Sequence, residues 1–279
     1  MHAIAQETLA GALGLGPVEV VALVGAGGKT TAQRLLGAEL AAGGDRVITT
    51  TTTAMLLREM EAVGPVLRQT EGGGLVPRLK GVLADGHAVA VAHADGEGGK
   101  VVGLSPASVD RLWAHGLADH LIVEADGSRG LPFKAFGPHE PQVPAVATTI
   151  VDVAGLDVLG VPLTEERVHR ADVLASSLGI PLGSEVTTRV VADGLREQVG
   201  HLRRGNAGCR IVVLLNKADT PDVQAAGLDI ALQLLGRQGA AVGPEGEGDR
   251  VTGEPGARPD SVVVGSLRAG RFAVVAEGA

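Results

Sequence analysis

Val24-Gly25-Ala26-Gly27-Gly28-Lys29-Thr30-Thr31 is a run whose residue types suit the binding of phosphate. A polyphosphate needs many hydrogen-bond donors in a small space, and successive main-chain N–H groups of a glycine-rich turn supply them. Gly25, Gly27 and Gly28 allow positive φ and close backbone approach, with Ala26 and Thr31 completing the cradle. Lys29 is expected to set its ammonium on the β- and γ-phosphates, and Thr30 to offer its hydroxyl to Mg²⁺. A helix beginning here adds the field of its N-terminus. The usual spacing puts a glycine five residues before Gly28, where this chain has Leu23. What remains is a shortened G-x-x-G-K-T-T.

Asn216-Lys217-Ala218-Asp219 is the second informative run. Guanine presents N1–H and N2–H₂ together, and one carboxylate accepts both; adenine lacks that pair. Asp219 is the candidate acceptor, Asn216 the contact for the purine N7 and carbonyl edge, and the Lys217 stem a cover for the base face. The pattern favours GTP over ATP. Val264-Gly265-Ser266-Leu267 follows another apolar run and offers main-chain N–H to guanine O6. Between these segments, Glu124-Ala125-Asp126-Gly127 closes an apolar run where a Mg²⁺-holding carboxylate sits in phosphoryl-transfer proteins. Glu124 and Asp126 share one side of an extended segment, so either would hold the metal while the other positions water. An ordinary acidic turn is the plainer alternative. Thr49 to Thr53 has two readings as well: Thr51 and its neighbours as metal or γ-phosphate contacts, or β-branched filler in a strand.

The elements that must position these groups alternate. Residues 18–24 read as a buried parallel strand, 30–42 as a helix, and 46–49 as a strand. Strands follow at 88–92, 120–124, 147–153, 210–215 and 261–264. Helices are expected at 105–115, with Ser105 as N-cap and Pro106 in the first turn, and at 222–238. Residues 2–13 read as a helical lead, and 239–260, rich in Gly, Pro and Glu, as an exposed loop. The expectation is one α/β domain over 1–279, P-loop NTPase-like, with a mainly parallel sheet and helices on both faces.

Composition narrows the function classes. The net charge of −8 argues against a general nucleic-acid binder, which needs a basic footprint. It leaves room for an anionic nucleotide held locally. Aromatics make up 1% and tyrosine is absent, so base-stacking platforms are not expected. No apolar run approaches the ~18 residues of a membrane span, and Met1 to Leu15 lacks a basic leader. The single cysteine, Cys209, precedes an apolar strand and is expected to be buried, in keeping with a cytoplasmic protein. His115 and His120 form no zinc pattern.

In the order of these motifs the chain resembles the selenium-dependent hydroxylase accessory proteins, usually called the YqeC family. The resemblance rests on residues 24–31, 49–52, 118–130, Lys134, 137–141, 155–160, 168–170 and 215–219. It implies a P-loop nucleotide-binding protein serving the maturation of molybdenum hydroxylases, including those with labile selenium. A molybdenum hydroxylase, or the proteins that mature its cofactor, would then be the partner. It also draws attention to His139 and Glu140, bracketed by Pro138 and Pro141, and to His169 and Arg170. His139 would serve as a general base or partner contact, and Arg170 as an arginine finger; a loop-holding hydrogen bond is the alternative for each. The leading expectation is thus a Mg²⁺-dependent GTP hydrolase, with catalysis by Lys29, Glu124, Asp126, His139 and Arg170. An ATP-dependent ligase with the short phosphate loop of cell-wall ligases, and a non-hydrolysing nucleotide-gated chaperone, are the alternatives.

Overall fold

The computed structural model describes residues 3–72, 74–84, 88–236 and 257–276. The chain opens with β1 (Ile4–Gln6) and α1 (Leu9–Leu13), then enters β2 (Glu19–Gly25), the glycine loop and α2 (Lys29–Ala42). Next come β3 (Val47–Thr51), β4 (Met55–Leu56), α3 (Leu57–Glu61), β5 (Val66–Arg68), α4 (Leu75–Ala84) and β6 (Val89–Ala92). The strands β7 (Ala94–Asp95) and β8 (Lys100–Val102) lead to α5 (Pro106–Trp113), β9 (His120–Glu124), β10 (Phe133–Lys134) and β11 (Thr149–Gly155). The chain continues through β12 (Val168–His169), α6 (Ala171–Leu178), α7 (Thr188–Gly205) and β13 (Arg210–Asn216). It closes with α8 (Pro221–Leu234), β14 (Ser261–Ser266) and β15 (Arg271–Val275).

Ten strands make one mixed sheet in the order β1-β15-β14-β13-β11-β2-β9-β3-β6-β5. From β14 to β5 every neighbouring pair is parallel; β15 runs against β14, and β1 against β15. The near-continuous apolar runs are explained by burial on both faces. Val20, Ala22 and Val24 of β2 pack on the side covered by α4 to α8, while Val21 and Leu23 pack against α1 and α2. Register brings the carboxyl ends level: Leu23 and Thr51 both pair with Glu124, Val24 with Asp152, and Gly155 with Asn216. This edge is where ligands bind in open α/β sheets.

The α/β class, the mainly parallel sheet and helices on both faces are therefore observed. Two local differences have physical reasons. The expected helical lead over 2–13 is split, because Ile4–Gln6 pairs with β15 and only Leu9–Leu13 is helical, capped by the Thr8 hydroxyl. The strand expected to stop at Thr49 runs on to Thr51, held between β9 and β6. The long helix α7 has the apolar spacing of Val191, Leu195, Val199 and Leu202, all fully buried, and Thr187 caps it. Of the exposed loop expected at 239–260, only 257–260 fall among the described residues. Among the described residues no helix is long and apolar enough to cross a membrane.

Candidate functional site

The loop after β2 owes its path to its glycines. Gly25, Gly27 and Gly28 have φ of 85°, 82° and 145°. A Cβ on Gly25 would lie 2.4 Å from a carboxylate oxygen of Asp152, and one on Gly27 would lie 2.3 Å from the main-chain nitrogen of Gly155. At Gly28 it would meet the Asn216 amide at 2.3 Å. Both the torsions and the space therefore exclude a side chain. No side chain caps α2, so the orphan N–H donors of its first turn border a cleft of about 780 Å³. Gly27, Gly28, Lys29, Thr30, Thr31 and Glu124 line that cleft on one side, and Asn216, Lys217, Asp219, Ser266 and Leu267 on another.

Lys29 is nearly buried and points back into the protein. Its Nζ donates to the Gly25 carbonyl at 2.6 Å and lies 3.1 Å from Asp126 Oδ1. Thr30 Oγ1 donates to Glu124 Oε2 at 2.9 Å. Burial pushes the Glu124 carboxyl up, against the opposing pull of Lys29 and Thr30. The two acids of the turn therefore part company. Glu124 borders the cleft beside Thr30, whereas Asp126 is fully buried beneath the loop, where its Oδ2 accepts from the Gly25 N–H at 3.0 Å and from Lys134 at 2.9 Å.

Behind Asp126 lies a network assembled from distant segments. Lys134, fully buried, also donates to the Gly127 carbonyl at 2.7 Å and to Glu140 Oε2 at 2.6 Å. Arg170 grips the same Glu140 with two bonds, of 2.6 and 3.0 Å. Burial alone would raise the Glu140 pKa, but Arg170 and Lys134 outweigh it and bring the group down to about 2. Asp152, on β11 beside Gly25, has no hydrogen-bond partner for either oxygen among the described residues; burial first, and Asp126 second, push its pKa well above the usual range. Sequence reasoning passed over Lys134 and Asp152 as working residues. The signal was a charge set inside an apolar run, Leu131-Pro132-Phe133-Lys134-Ala135-Phe136 and Ile150-Val151-Asp152-Val153-Ala154.

Several expected site residues lie elsewhere. Arg170 is spent on Glu140 and the Ala135 carbonyl, and it does not border the cleft. Its link to the loop runs through Glu140, Lys134 and Asp126. His139 is exposed and is not among the residues lining the cleft. His169 is buried, and burial, with Arg170 and Lys134 nearby, lowers its pKa. Thr51, expected at the metal, is fully buried and donates to the Glu124 carbonyl at 3.1 Å. Thr50 likewise donates to Val91 at 2.7 Å, so these hydroxyls brace strand ends. Cys209 is buried with its thiol on the Ala147 carbonyl, as expected.

On the far side of the cleft, Asn216 ties three segments together. Its Nδ2 donates to the Gly27 carbonyl at 2.8 Å and its Oδ1 accepts from the Leu267 N–H at 3.0 Å. Most of its amide is thus committed to holding the glycine loop and not free for a base edge. Asp219 is exposed; Ser266 donates to its Oδ1 at 2.6 Å, leaving Oδ2 without a protein hydrogen bond among the described residues. Lys217, at a φ of 67°, pairs with Asp157 at 2.7 Å. The cleft is lined by Lys29, Lys100, Arg129, Lys217 and Arg268 against Glu59, Glu124 and Asp219. It is locally cationic in a chain whose net charge is −8, the condition that concentrates an anion at one place. Among the described residues no group of three or more His, Cys, Asp and Glu could hold a metal. A divalent cation at Thr30 and Glu124 would therefore need ligand oxygens.

Comparison with known proteins finds one family and one relative over the part of the chain that carries the glycine loop. The profile of the YqeC protein family matches residues 21–172, which runs from β2 through the start of α6. A protein of Escherichia coli (strain K12), described as "Uncharacterized protein YqeC", is 31% identical over 198 residues, covering 71% of this chain and 75% of the relative.

Proposed function

The chain belongs to the YqeC family, and from that premise and its cleft we propose that it binds and hydrolyses a Mg²⁺-nucleoside triphosphate, GTP in preference to ATP. The observation that carries this reading is the Thr30–Glu124 pair at 2.9 Å beside an uncapped, lysine-bearing helix start. The residues present fit a Mg²⁺ completed by phosphate oxygens: Thr30 and Glu124 would hold it, and it would neutralise charge building on the transferred phosphoryl group. Lys29 exchanges Asp126 for the phosphates, a short move because Asp126 lies directly beneath the glycine loop. Lys134 stays behind and keeps Asp126 neutralised, so the exchange strands no buried charge. Glycine-loop and α2 N–H groups orient the phosphates, and Asp219, steadied by Ser266, reads guanine. The maturation of a molybdenum hydroxylase is the role that the sequence resemblance supports.

The test is nucleotide affinity with Mg²⁺ for the wild type and Asp219→Ala. GTP is expected to bind at least ~10-fold tighter than ATP, with that preference lost in the variant because a committed acceptor disappears. Equal affinities in the wild type would sink the guanine assignment, and no binding of either would sink the whole reading.

A further inference from the structure

The turn that follows Asp126 holds an arginine against local preference. The Leu131 N–H donates to the Ser128 carbonyl at 3.0 Å, closing a four-residue turn over Ser128-Arg129-Gly130-Leu131. Its two central residues, Arg129 and Gly130, have φ of 54° and 74°. Two successive positive values across such a bond mark a type I′ turn, which favours Asn, Asp or Gly at its first centre. Gly130 meets the demand. Arg129 does not, because the left-handed torsion is unfavourable for a long side chain.

Among the described residues nothing accounts for that choice. Arg129 is exposed, so it fills no core, and it forms no ion pair with any described residue. Burial chiefly lowers the His169 pKa, with Arg170, Lys134 and Arg129 adding to it, so Arg129 repels that neighbour and does not pair with it. The turn is nevertheless pinned on both sides. Just before it, Lys134 Nζ donates to the Gly127 carbonyl at 2.7 Å. Just after it, the Gly27 N–H donates to the Leu131 carbonyl at 3.1 Å and the Gly155 N–H to the Pro132 carbonyl at 2.8 Å. A Cβ on Gly27 would lie 2.6 Å from that Pro132 oxygen, so the segment packs directly on the glycine loop. With ~3.8 Å between successive Cα atoms, Arg129 stands at most about 8 Å from Leu131, a gap its long side chain crosses. It lines the cleft that Gly27, Gly28 and Lys29 also line.

We infer that Arg129 is the catalytic arginine of this cleft, contacting the γ-phosphate oxygens from a turn anchored to the glycine loop. The inference rests on the nucleotide reading. It adds the guanidinium that Arg170, held by Glu140 and outside the cleft, does not bring there. In hydrolysis the oxygen of a water bonds the γ-phosphorus as the bond to the β–γ bridging oxygen breaks. That electron pair leaves on GDP; one proton of the water stays on the phosphate and the other passes to solvent. Arg129 moves no proton. Its planar fork pairs oxygens on which charge develops. A pinned turn suits that task, because a group already aimed at developing charge needs no rearrangement during reaction. The unfavourable torsion then follows from aim, as strain does at other active sites.

Arg129→Asn is the test, because asparagine suits the left-handed torsion and removes the cation. With the full chain, Mg²⁺ and saturating GTP, turnover is expected to fall about 100-fold or more. A non-hydrolysable GTP analogue should bind within about ten-fold of the wild type. The wild type should also trap GDP with aluminium fluoride, a mimic of the phosphoryl group in transfer, and the variant should not. Its melting temperature should equal or exceed that of the wild type, and Arg129→Gly should behave alike. Arg129→Lys, which keeps the charge but not the fork, should stay impaired. Unchanged turnover and trapping in Arg129→Asn would overturn the inference and leave the nucleotide reading intact. A fall in melting temperature shared by the Asn and Gly variants would overturn it too, by making the arginine structural. So would a wild type that binds the analogue yet neither turns over GTP nor traps the fluoride complex. A wild type that binds no nucleotide would remove the nucleotide reading, and the role of Arg129 with it.

Discussion

Two lysines meet the same carboxylate, and their surroundings differ. Lys29 approaches Asp126 Oδ1 from the glycine loop at 3.1 Å, and Lys134 approaches Oδ2 from within at 2.9 Å. Lys29 borders the cleft, and its other contacts are the Gly25 carbonyl of its own loop and Glu124 Oε1 at 4.0 Å. Lys134 is locked by Gly127, by Glu140 and by the Phe136 ring at 5.6 Å. On the proposed reading Lys29 is the exchangeable counter-ion and Lys134 the fixed one. The difference teaches that a lysine can leave a buried carboxylate without stranding its charge when a second cation stays beside it.

The sharpest way to break this contrast is to remove each lysine in turn. Lys134→Met should cost about 3–5 kcal/mol, since Asp126 and Glu140 are left buried with less compensation. That corresponds to a fall of roughly 10 °C in melting temperature for a chain of this size. Lys29→Met should cost far less stability, because Lys134 remains, yet it should abolish detectable nucleotide binding by calorimetry. Equal destabilisation by the two variants would erase the distinction between exchangeable and fixed.

Acid should attack the fixed side next. The Glu140 pKa is lowered to about 2, so its stabilisation is complete above the ordinary carboxylate range and is lost as pH falls through that range toward the folded value. The interval corresponds to about 3 kcal/mol, and the group is too enclosed for solvent to screen it heavily. Glu140→Gln should therefore flatten the denaturation midpoint between pH 5 and about pH 2, whereas a steep wild-type-like fall would show that the acid response lies elsewhere.

The smallest effect has the opposite sign. Asp152 holds its proton well above the usual range, so the unfolded chain releases that proton first and the native state loses stability as pH rises above the unfolded pKa. Asp152→Asn should then stabilise by about 1 kcal/mol near pH 8, with the gain vanishing in acid below about pH 4. A lower melting temperature at pH 8 would mean that Asp152 is ionised and serves as a third partner of the two lysines.

Legibility followed continuity along the chain. The glycine loop, Thr30 and the strands feeding Glu124 and Asn216 are local signals, and they stand where apolar patterning puts them. Asp219 and Asn216 were both readable as a pair, but Asn216 is drawn into holding Gly27 and Leu267, a use that only packing could reveal. The threonine run suited two roles, and neighbours on β6 and β9 decided between them. Arg170 and His139 were both readable as working groups, but Glu140 holds Arg170 inward and His139 is left at the surface.

The sequence by itself determined the parallel α/β frame, the shortened glycine loop and the residue types at the strand ends, because periodicity and φ requirements act over a few neighbouring residues. Tertiary structure decided which acid borders the cleft, which lysine stays with Asp126 and where the threonine hydroxyls go. Those choices depend on burial and on partners tens of residues away, such as Glu140 and Asp152, and a charge is assigned its role by the dielectric and counter-ions that folding places around it.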